Sequence, residues 1–183
     1  MMRKFVMISL LILFTLYMFS ESPEFLSEYE KNVMEISIGG ITLDYPLSWF
    51  EKFDPSIFER IFTARILQII DPCKYTVELE LGNKVEMVEN LELIGLKCEK
   101  QFDIDELNMI LPKGREVYIT YDPISRDGKV YMWMKDIGRL ILVNVLLIMN
   151  DYAMFDEDQD FLYRPKFDRL WDLLEIKRLV NKR

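Results

Sequence analysis

The segment TVELEL, residues 76–81, alternates apolar and polar side chains at every position. One face carries Val77, Leu79 and Leu81, and the opposite face carries Thr76, Glu78 and Glu80. A period of two is that of a β-strand, because successive side chains of a strand point to opposite faces. The chain must therefore contain a sheet with one buried face.

Strand patterns continue on both sides of this segment from Thr63 onward. ARILQIID precedes it, a turn at Gly82-Asn83-Lys84 follows it, and KVEMVENLELIGL is a long third strand, which we expect to bend at Gly95 or at a bulge. EVYITY and KVYMWMK are strands four and five, joined by DPISRDG. These runs are bounded by Gly, Pro, Asn and Asp, as strands usually are.

Helical spacing appears in three places within the same region. Asp103 predicts the start of a short helix through Leu111, which carries Ile104, Leu107 and Ile110 inward. A second helix is predicted over 142–150, and a third begins near Pro165, where the apolar residues recurring at helical spacing are Phe167, Leu170, Leu173 and Leu174. Three strands, a helix, two strands and two helices predict an α+β chain built on a five-stranded OB-fold barrel with about three helices.

The residues before the barrel predict an N-terminal extension. Ser22-Pro23-Glu24 is a helix-start signal for a helix to about Met34. Gly39-Gly40 predicts a hairpin with Ile36 and Ile38 facing Ile41 and Leu43. PLSWFEKF and DPSIFERIF are each typical of one or two amphipathic helical turns, whose aromatic side chains we expect to pack rather than to form a ligand pocket.

An apolar run from Phe5 to Phe19 follows Arg3 and Lys4. Its length suits the core of a signal peptide, and the basic flank favours a cytosolic N-terminus with the rest of the chain exported. Ser20 and Ser22 have the spacing of a cleavage site, but Pro23 would follow the cut, so a cleaved signal and a retained signal anchor both remain open. Either places the domain in the secretory pathway, as a single-pass membrane protein with a lumenal or extracellular domain, or as a secreted one.

These patterns divide the chain into four parts. Residues 1–22 are the signal anchor or signal peptide, which makes the membrane contact through residues 5–19. Residues 23–62 are the helical and hairpin extension, residues 63–179 are the barrel domain, and residues 180–183 are a short basic tail.

Composition excludes several classes of protein. The net charge of −8 and a pI near 4.8 disfavour binding to nucleic acid, since such binding depends on neutralising phosphates. The chain has no histidine, which excludes Ser-His triads, Cys-His dyads and His-ligated zinc. Its two cysteines are too few for a cysteine-rich metal site but enough for one disulfide.

Residues 63–179 resemble the staphylococcal nuclease, or thermonuclease-like, family. ARILQIIDPCKYTVELELG resembles the family's first hairpin, which typically carries Asp-Gly-Asp-Thr, and LELIGLKCEK resembles the strand end that reads Arg-Leu-x-Gly-Ile-Asp-Thr-Pro-Glu. KGREVYITYDPISRDGKVYMWMKDIG is similar to the fourth and fifth strands, and LVNVLLIMNDYAMF to the Val-Asn-x-x-Leu helix with its following Gly-x-Ala. The resemblance implies a phosphodiesterase fold whose active members bind one Ca²⁺.

In active members two Asp side chains and a Thr carbonyl help to hold the Ca²⁺, and a Glu acts through water on the phosphate. Hard oxygen ligands of this kind suit Ca²⁺. On this chain the hairpin Asp falls at Tyr75, the strand-end Asp at Lys97, the Thr at Cys98 and the Glu at Lys100, one position after Glu99. The resemblance thus implies that the metal ligands are lost.

Active members also grip the phosphate with two Arg side chains, whose forks stabilise its developing charge. The first Arg falls at Glu92 and the second at Lys129, which keeps the charge without the bidentate fork. The resemblance therefore implies a catalytically inactive module, with no catalytic residue, cofactor or metal, that binds or scaffolds an unknown protein or glycan.

Two alternatives stay open at this point. An active phosphodiesterase would need a rearranged Ca²⁺ site built from Asp71, Glu99 and the acidic run 156–160, which is otherwise typical of a solvated loop. The resemblance also brings the hairpin loop that holds Cys73 close to the strand end that holds Cys98, which implies a disulfide in place of the ion. The alternative is two unpaired thiols.

Overall fold

The computed structural model describes residues 22–48, 50, 52–98, 103–136 and 138–182. Within these ranges the chain forms four α-helices, one 3-10 turn and ten strands. In chain order they are α1 (Ser22–Asn32), β1 (Val33–Ile38), β2 (Ile41–Pro46), the 3-10 turn (Pro55–Ile57), β3 (Phe62–Asp71), β4 (Lys74–Leu81), β5 (Lys84–Glu92), β6 (Leu96–Lys97), α2 (Ile104–Ile110), β7 (Glu116–Tyr121), β8 (Val130–Asp136), β9 (Arg139–Leu142), α3 (Val143–Met149), β10 (Met154–Phe155) and α4 (Arg164–Asn181).

A six-stranded sheet in the order β5-β4-β3-β7-β8-β9 is the centre of the fold, and all its neighbouring strands run antiparallel. The α+β class and the five predicted strands are confirmed. The closed barrel is not observed, and β9 adds a sixth strand. Among the described residues, the end of the third predicted strand meets the start of β8 through a parallel bridge from Leu93 to Val130 and a hydrogen bond from Ile94 N to Val130 O (2.9 Å). Closure stops there because Leu96–Lys97 pairs with Met154–Phe155 instead.

Bulges bend the long strands around the core, as expected for extra residues in one strand of a pair. The β3–β4 register shifts between Ile66 and Gln68 and again between Ile69 and Asp71. The predicted bend of the third strand is confirmed: Asn90 has φ 57° and Gly95 has φ 74°. A Cβ on Gly95 would lie 2.7 Å from the Phe161 ring, so this glycine permits a close approach.

The sheet and the helices contribute to one hydrophobic core. The predicted inward face of α4 is confirmed, and its buried residues are Phe167, Leu170, Leu173 and Leu174. Every residue of α3 is buried. In α2, Asp103 caps the first turn and Leu107 and Ile110 are buried as predicted, but Ile104 is 37% exposed, so its inward placement was wrong.

The N-terminal hairpin caps the β9 edge of the sheet. Its predicted register is confirmed, with Ile36 opposite Leu43 and Ile38 opposite Ile41. Helix α1 ends at Asn32, close to the predicted end. The Tyr45 hydroxyl accepts a hydrogen bond from Leu142 N (2.9 Å), which joins β2 to the end of β9. The extension is therefore packed on the domain rather than separate from it.

Of the helical turns predicted for PLSWFEKF and DPSIFERIF, the second is formed as a single 3-10 turn (Pro55–Ile57) that the Asp54 carboxylate caps at Ser56 N. The described part of residues 46–53 contains a hydrogen-bonded turn, from Phe50 N to Leu47 O (2.9 Å), but no helix. The aromatic side chains of this segment nonetheless pack as predicted, since the Phe53 and Phe58 rings lie 5.2 and 5.8 Å from the Tyr163 ring. These contacts join the segment to Tyr163, the residue before α4.

None of the described helices has both the length and the low polarity of a membrane span. The predicted export segment, Phe5 to Phe19, lies outside the described residues.

Candidate functional site

The candidate site lies where the β3–β4 hairpin meets the end of β5. Lys74 opens β4 directly opposite Glu92, the last residue of β5, and Leu93 N donates to Cys73 O at 2.8 Å. The parallel bridge from Leu93 then brings in the start of β8, which follows Lys129. Three separate strands thus bring two of the positions that the sequence singled out, Glu92 and Lys129, close to Lys74.

The Glu92 carboxylate is held between two lysines, an arrangement we call the Glu92 ion network. Its Oε1 lies 2.9 Å from Lys74 Nζ and its Oε2 lies 3.7 Å from Lys129 Nζ. The hydrogen bond from Lys74 lowers the pKa of Glu92, against partial burial that raises it, and the charge of Lys129 lowers it further. The same hydrogen bond raises the pKa of Lys74. Glu92 and Lys74 therefore both stay charged at neutral pH and neutralise each other in part.

Tyr75, where the resemblance would place the hairpin Asp, points into the core. Its side chain is fully buried and its hydroxyl donates to Pro72 O at 2.9 Å. Burial raises the pKa of Tyr75, so the phenol stays neutral. A buried neutral phenol whose proton is already donated supplies no ligand for a hard cation.

The structure joins Cys73 and Cys98 in a disulfide, with Cα atoms 5.9 Å apart. The bond links the β3–β4 turn to the residue after β6. The Asp71 carboxylate lies beside it and accepts a hydrogen bond from Cys73 N at 2.7 Å. Asp71, Cys73 and Cys98 form the only close group of three potential metal ligands among the described residues, but two of its members are bonded to each other.

The remaining predicted positions do not meet at this place. Lys97 is exposed and pairs with Met154 in the short β6–β10 ladder. Lys100 and Glu99 lie outside the described residues. The acidic run 156–160 is bound to Gly95, whose N donates to Gln159 Oε1 (2.8 Å) and whose O accepts from Asp156 N (3.0 Å). Among the described residues, no cluster of potential metal ligands contains both Asp71 and a residue of that run.

A shallow cleft of about 450 Å³ lies beside the Glu92 ion network. It is lined by Val88, Asn90, Leu91, Glu92, Tyr121, Asp127, Gly128 and Lys129. Charges of both signs face it, so it offers no concentrated positive field for a phosphate. Lys74 was not among the predicted site residues, although it is the closest partner of Glu92. Its only signal in the sequence was its place at the start of the alternating strand.

Comparison of the chain with protein-family models, with curated proteins and with solved structures gives no match. The thermonuclease resemblance consequently rests on the sequence strings, and a function can be argued only from the residues described above.

Proposed function

We propose that this chain is a catalytically inactive relative of thermonuclease-like phosphodiesterases, exported or anchored in a membrane, whose domain acts as a binding or scaffold module. The barrel part corresponds to residues 63–179, and the apolar run at residues 5–19 supplies the export signal or anchor.

The observation that carries this proposal is the Glu92 ion network. A carboxylate occupies the position where the family has a phosphate-gripping arginine, and both of its oxygens are already engaged by Lys74 and Lys129. An incoming phosphate would have to displace an anion from two cations. The network instead ties β4, β5 and the start of β8 together, which is a structural role.

The strand order supports the same ancestry. β3 pairs with both β4 and β7, β7 pairs with β8, and the end of the third strand meets β8 in parallel at Leu93 and Val130. An OB-fold is a partly open five-stranded barrel, so an incomplete closure agrees with it. We infer that the sheet is an OB-type barrel that β9 extends and that stays open where the third strand meets β8. We call this place, at Leu93 and Val130, the seam.

The disulfide supports the proposed export. Disulfides persist in oxidising compartments and are rare where cellular thiols are kept reduced. The Cys73–Cys98 bond occupies the place that the resemblance assigns to the ion, between the hairpin turn and the strand end. It would hold those two segments together where an active relative uses Ca²⁺.

A nuclease assay on the full chain tests the proposed loss of activity. We expect no cleavage of single-stranded DNA or RNA that depends on Ca²⁺, and no rise in thermal midpoint on adding Ca²⁺, because a ligand that binds the folded state would raise it. A Ca²⁺-dependent activity that Glu99→Ala abolishes, and that the control Glu175→Ala at an exposed position of α4 leaves intact, would contradict the proposal.

Topology is tested separately with sealed microsomes that contain the newly synthesised chain. An exported domain should resist protease added outside and become sensitive once detergent opens the membrane. Digestion while the vesicles are sealed would place the domain on the cytosolic side.

A further inference from the structure

The open edge of β5 carries an unassigned surface. β5 is the terminal strand of the six-stranded sheet, and residues 84–90 are exposed or half-buried throughout. Two apolar side chains stand in solvent there, Val85 with 63% and Met87 with 58% of its surface exposed. We call this feature the β5 edge, meaning the free side of residues 84–89.

The turn chemistry determines which backbone groups point outward. Gly82-Asn83 is a two-residue hairpin loop, with Gly82 at φ 63° and Leu81 opposite Lys84. Such a loop closes on a hydrogen-bonded pair, and hydrogen-bonded pairs then alternate along an antiparallel ladder. Glu86 and Val88 thus bond to β4, while the N–H and C=O groups of Val85 and Met87 face the open side.

The side chains of the β5 edge indicate which kind of strand could be added there. An added strand would set its side chains directly opposite those of β5, on the same face. Apolar residues would cover Val85 and Met87, and the residue opposite Glu86, on the other face, would be basic. The partner is therefore an extended segment that alternates apolar and basic side chains.

The charge of the hairpin favours the same partner. Residues 78–89 include four glutamates, at 78, 80, 86 and 89, and one lysine, Lys84. Within the described part of the chain, none of the four glutamates lies in an ion pair. A second copy of this chain would bring its own glutamates to the edge, and like charges across a strand pair are destabilising.

We propose that the β5 edge binds a basic, apolar extended segment of another protein by strand addition. In such addition, main-chain hydrogen bonds supply affinity and alternate side chains supply specificity. The inference rests on the proposed binding role and names its partner class. An exposed edge that invites pairing is normally protected by charged side chains. Here the charge is predominantly negative, so it disfavours acidic partners and favours basic ones.

The probe is a capped synthetic peptide of about seven residues that alternates lysine and valine, titrated into the full chain and followed by fluorescence anisotropy. The control peptide replaces each lysine by glutamate. We expect the lysine peptide to bind, the glutamate peptide to bind at least about tenfold more weakly, and the binding to weaken as salt rises. Amide hydrogen exchange should slow at Val85 and Met87 on binding.

Two variants locate the contact. Met87→Pro removes one outward N–H and leaves the bonds of Glu86 and Val88 to β4, so affinity should fall about five- to tenfold. Glu86→Gln with Glu89→Gln should weaken the lysine peptide several-fold, whereas Glu157→Gln with Asp158→Asn, the same change of charge elsewhere, should not. If Met87→Pro fails to fold, Val85→Lys with Met87→Lys is the substitute, with the same expected loss.

Several outcomes would overturn this inference: equal affinity for both peptides, no binding of the lysine peptide, protection of amides elsewhere in the chain, or a dimer of the chain whose formation Met87→Pro prevents. None of these readouts involves Ca²⁺ or nuclease activity. Failure at the β5 edge is therefore distinguishable from failure of the proposed inactive role.

Discussion

Asn144 connects the two sides of the seam at which the sheet fails to close. Its side chain is fully buried in α3. The amide Oδ1 accepts from Met132 N (2.9 Å), and Nδ2 donates to Ile94 O (2.9 Å) and Val130 O (3.2 Å). One side chain thus satisfies backbone groups that a continuous ladder would otherwise pair.

Asn144→Ala should lower the free energy of unfolding by about 2–4 kcal/mol, because it leaves buried backbone groups without partners. The measurement is urea denaturation of both proteins under identical conditions. Asn150→Ala is the matched control, since Asn150 also bridges elements by three hydrogen bonds but is half-buried. A loss for Asn144→Ala no larger than that for Asn150→Ala would contradict this account.

Gly95 makes a second prediction at the scale of one residue. Its φ of 74° is unfavourable for any residue that has a side chain. A Cβ at this position would also lie 2.7 Å from the Phe161 ring. Gly95→Ala should cost about 1–3 kcal/mol of unfolding free energy. Phe161→Leu combined with Gly95→Ala should cost less than the sum of the single changes, because the smaller side chain relieves the contact. Strict additivity in that double-mutant cycle would show that the backbone conformation alone sets the cost.

At the scale of elements, the Cys73–Cys98 bond fastens the β3–β4 hairpin to the end of the third strand. The two residues are 25 apart in sequence, and closing a loop of that length contributes roughly 3 kcal/mol in the chain-entropy treatment. Cys73→Ser with Cys98→Ser should lower the free energy of unfolding by about that amount.

The control is the unchanged chain unfolded in the presence of a thiol reductant, which should lose a similar amount of stability. Peptide mapping of non-reduced protein from its native source should recover the 73–98 linkage. Two freely alkylated thiols in that sample would show that the bond does not form there.

The elements that the sequence predicted are those with a strong internal period. The alternation of β4 and the helical spacing of α4 depend only on which face is buried, so they could be recognised without tertiary information. The segment 46–62 has apolar spacing that suits helical turns, and among its described residues one such turn forms, the 3-10 turn at Pro55–Ile57. β9 was missed because its four residues, Arg139–Leu142, run directly into α3 with no turn residue between them, and Leu142 was assigned to the predicted helix.

Which residues lie opposite each other in neighbouring strands was harder to predict than where the strands themselves lie. Glu92 and Lys129 could be placed in one site from the resemblance alone. Lys74 could not, because its position opposite Glu92 depends on the register shift between β4 and β5 near Tyr75, and a shift by one residue turns a side chain to the other face. The open seam at Leu93 was not predictable either, since it depends on the pairing of Leu96–Lys97 with β10.

For the molecule as a whole, buried tyrosines determine how stability depends on alkaline pH. Burial raises the pKa of Tyr163 to about 12, and burial raises the pKa of Tyr45, Tyr75 and Tyr131 as well. The pKa of an unfolded tyrosine is about 10. Above that pH the unfolded state releases phenolic protons that the folded state retains, so unfolding becomes more favourable as pH rises.

We therefore expect the free energy of unfolding to be insensitive to these groups below about pH 10 and to fall steeply as pH rises toward 12. Tyrosinate absorbance from the buried rings should appear together with the loss of near-ultraviolet circular dichroism. Tyr163→Phe should make the fall shallower. Ionisation of the buried rings while the tertiary signal persists would contradict the prediction.

The first and last described helices lie against each other, and this places a limit on when the chain can finish folding. The Asp44 carboxylate on β2 lies 3.1 Å from Lys177 Nζ, and Tyr29 of α1 donates a hydrogen bond to the same carboxylate. Contacts between residues so far apart in sequence are formed late and slowly, because the intervening chain must be ordered first. When only the residues of the sheet have emerged from the ribosome, Asp44 of the N-terminal hairpin still lacks Lys177 of α4, its ion-pair partner. During synthesis that hairpin would therefore be exposed to chaperones until residues 164–181 emerge.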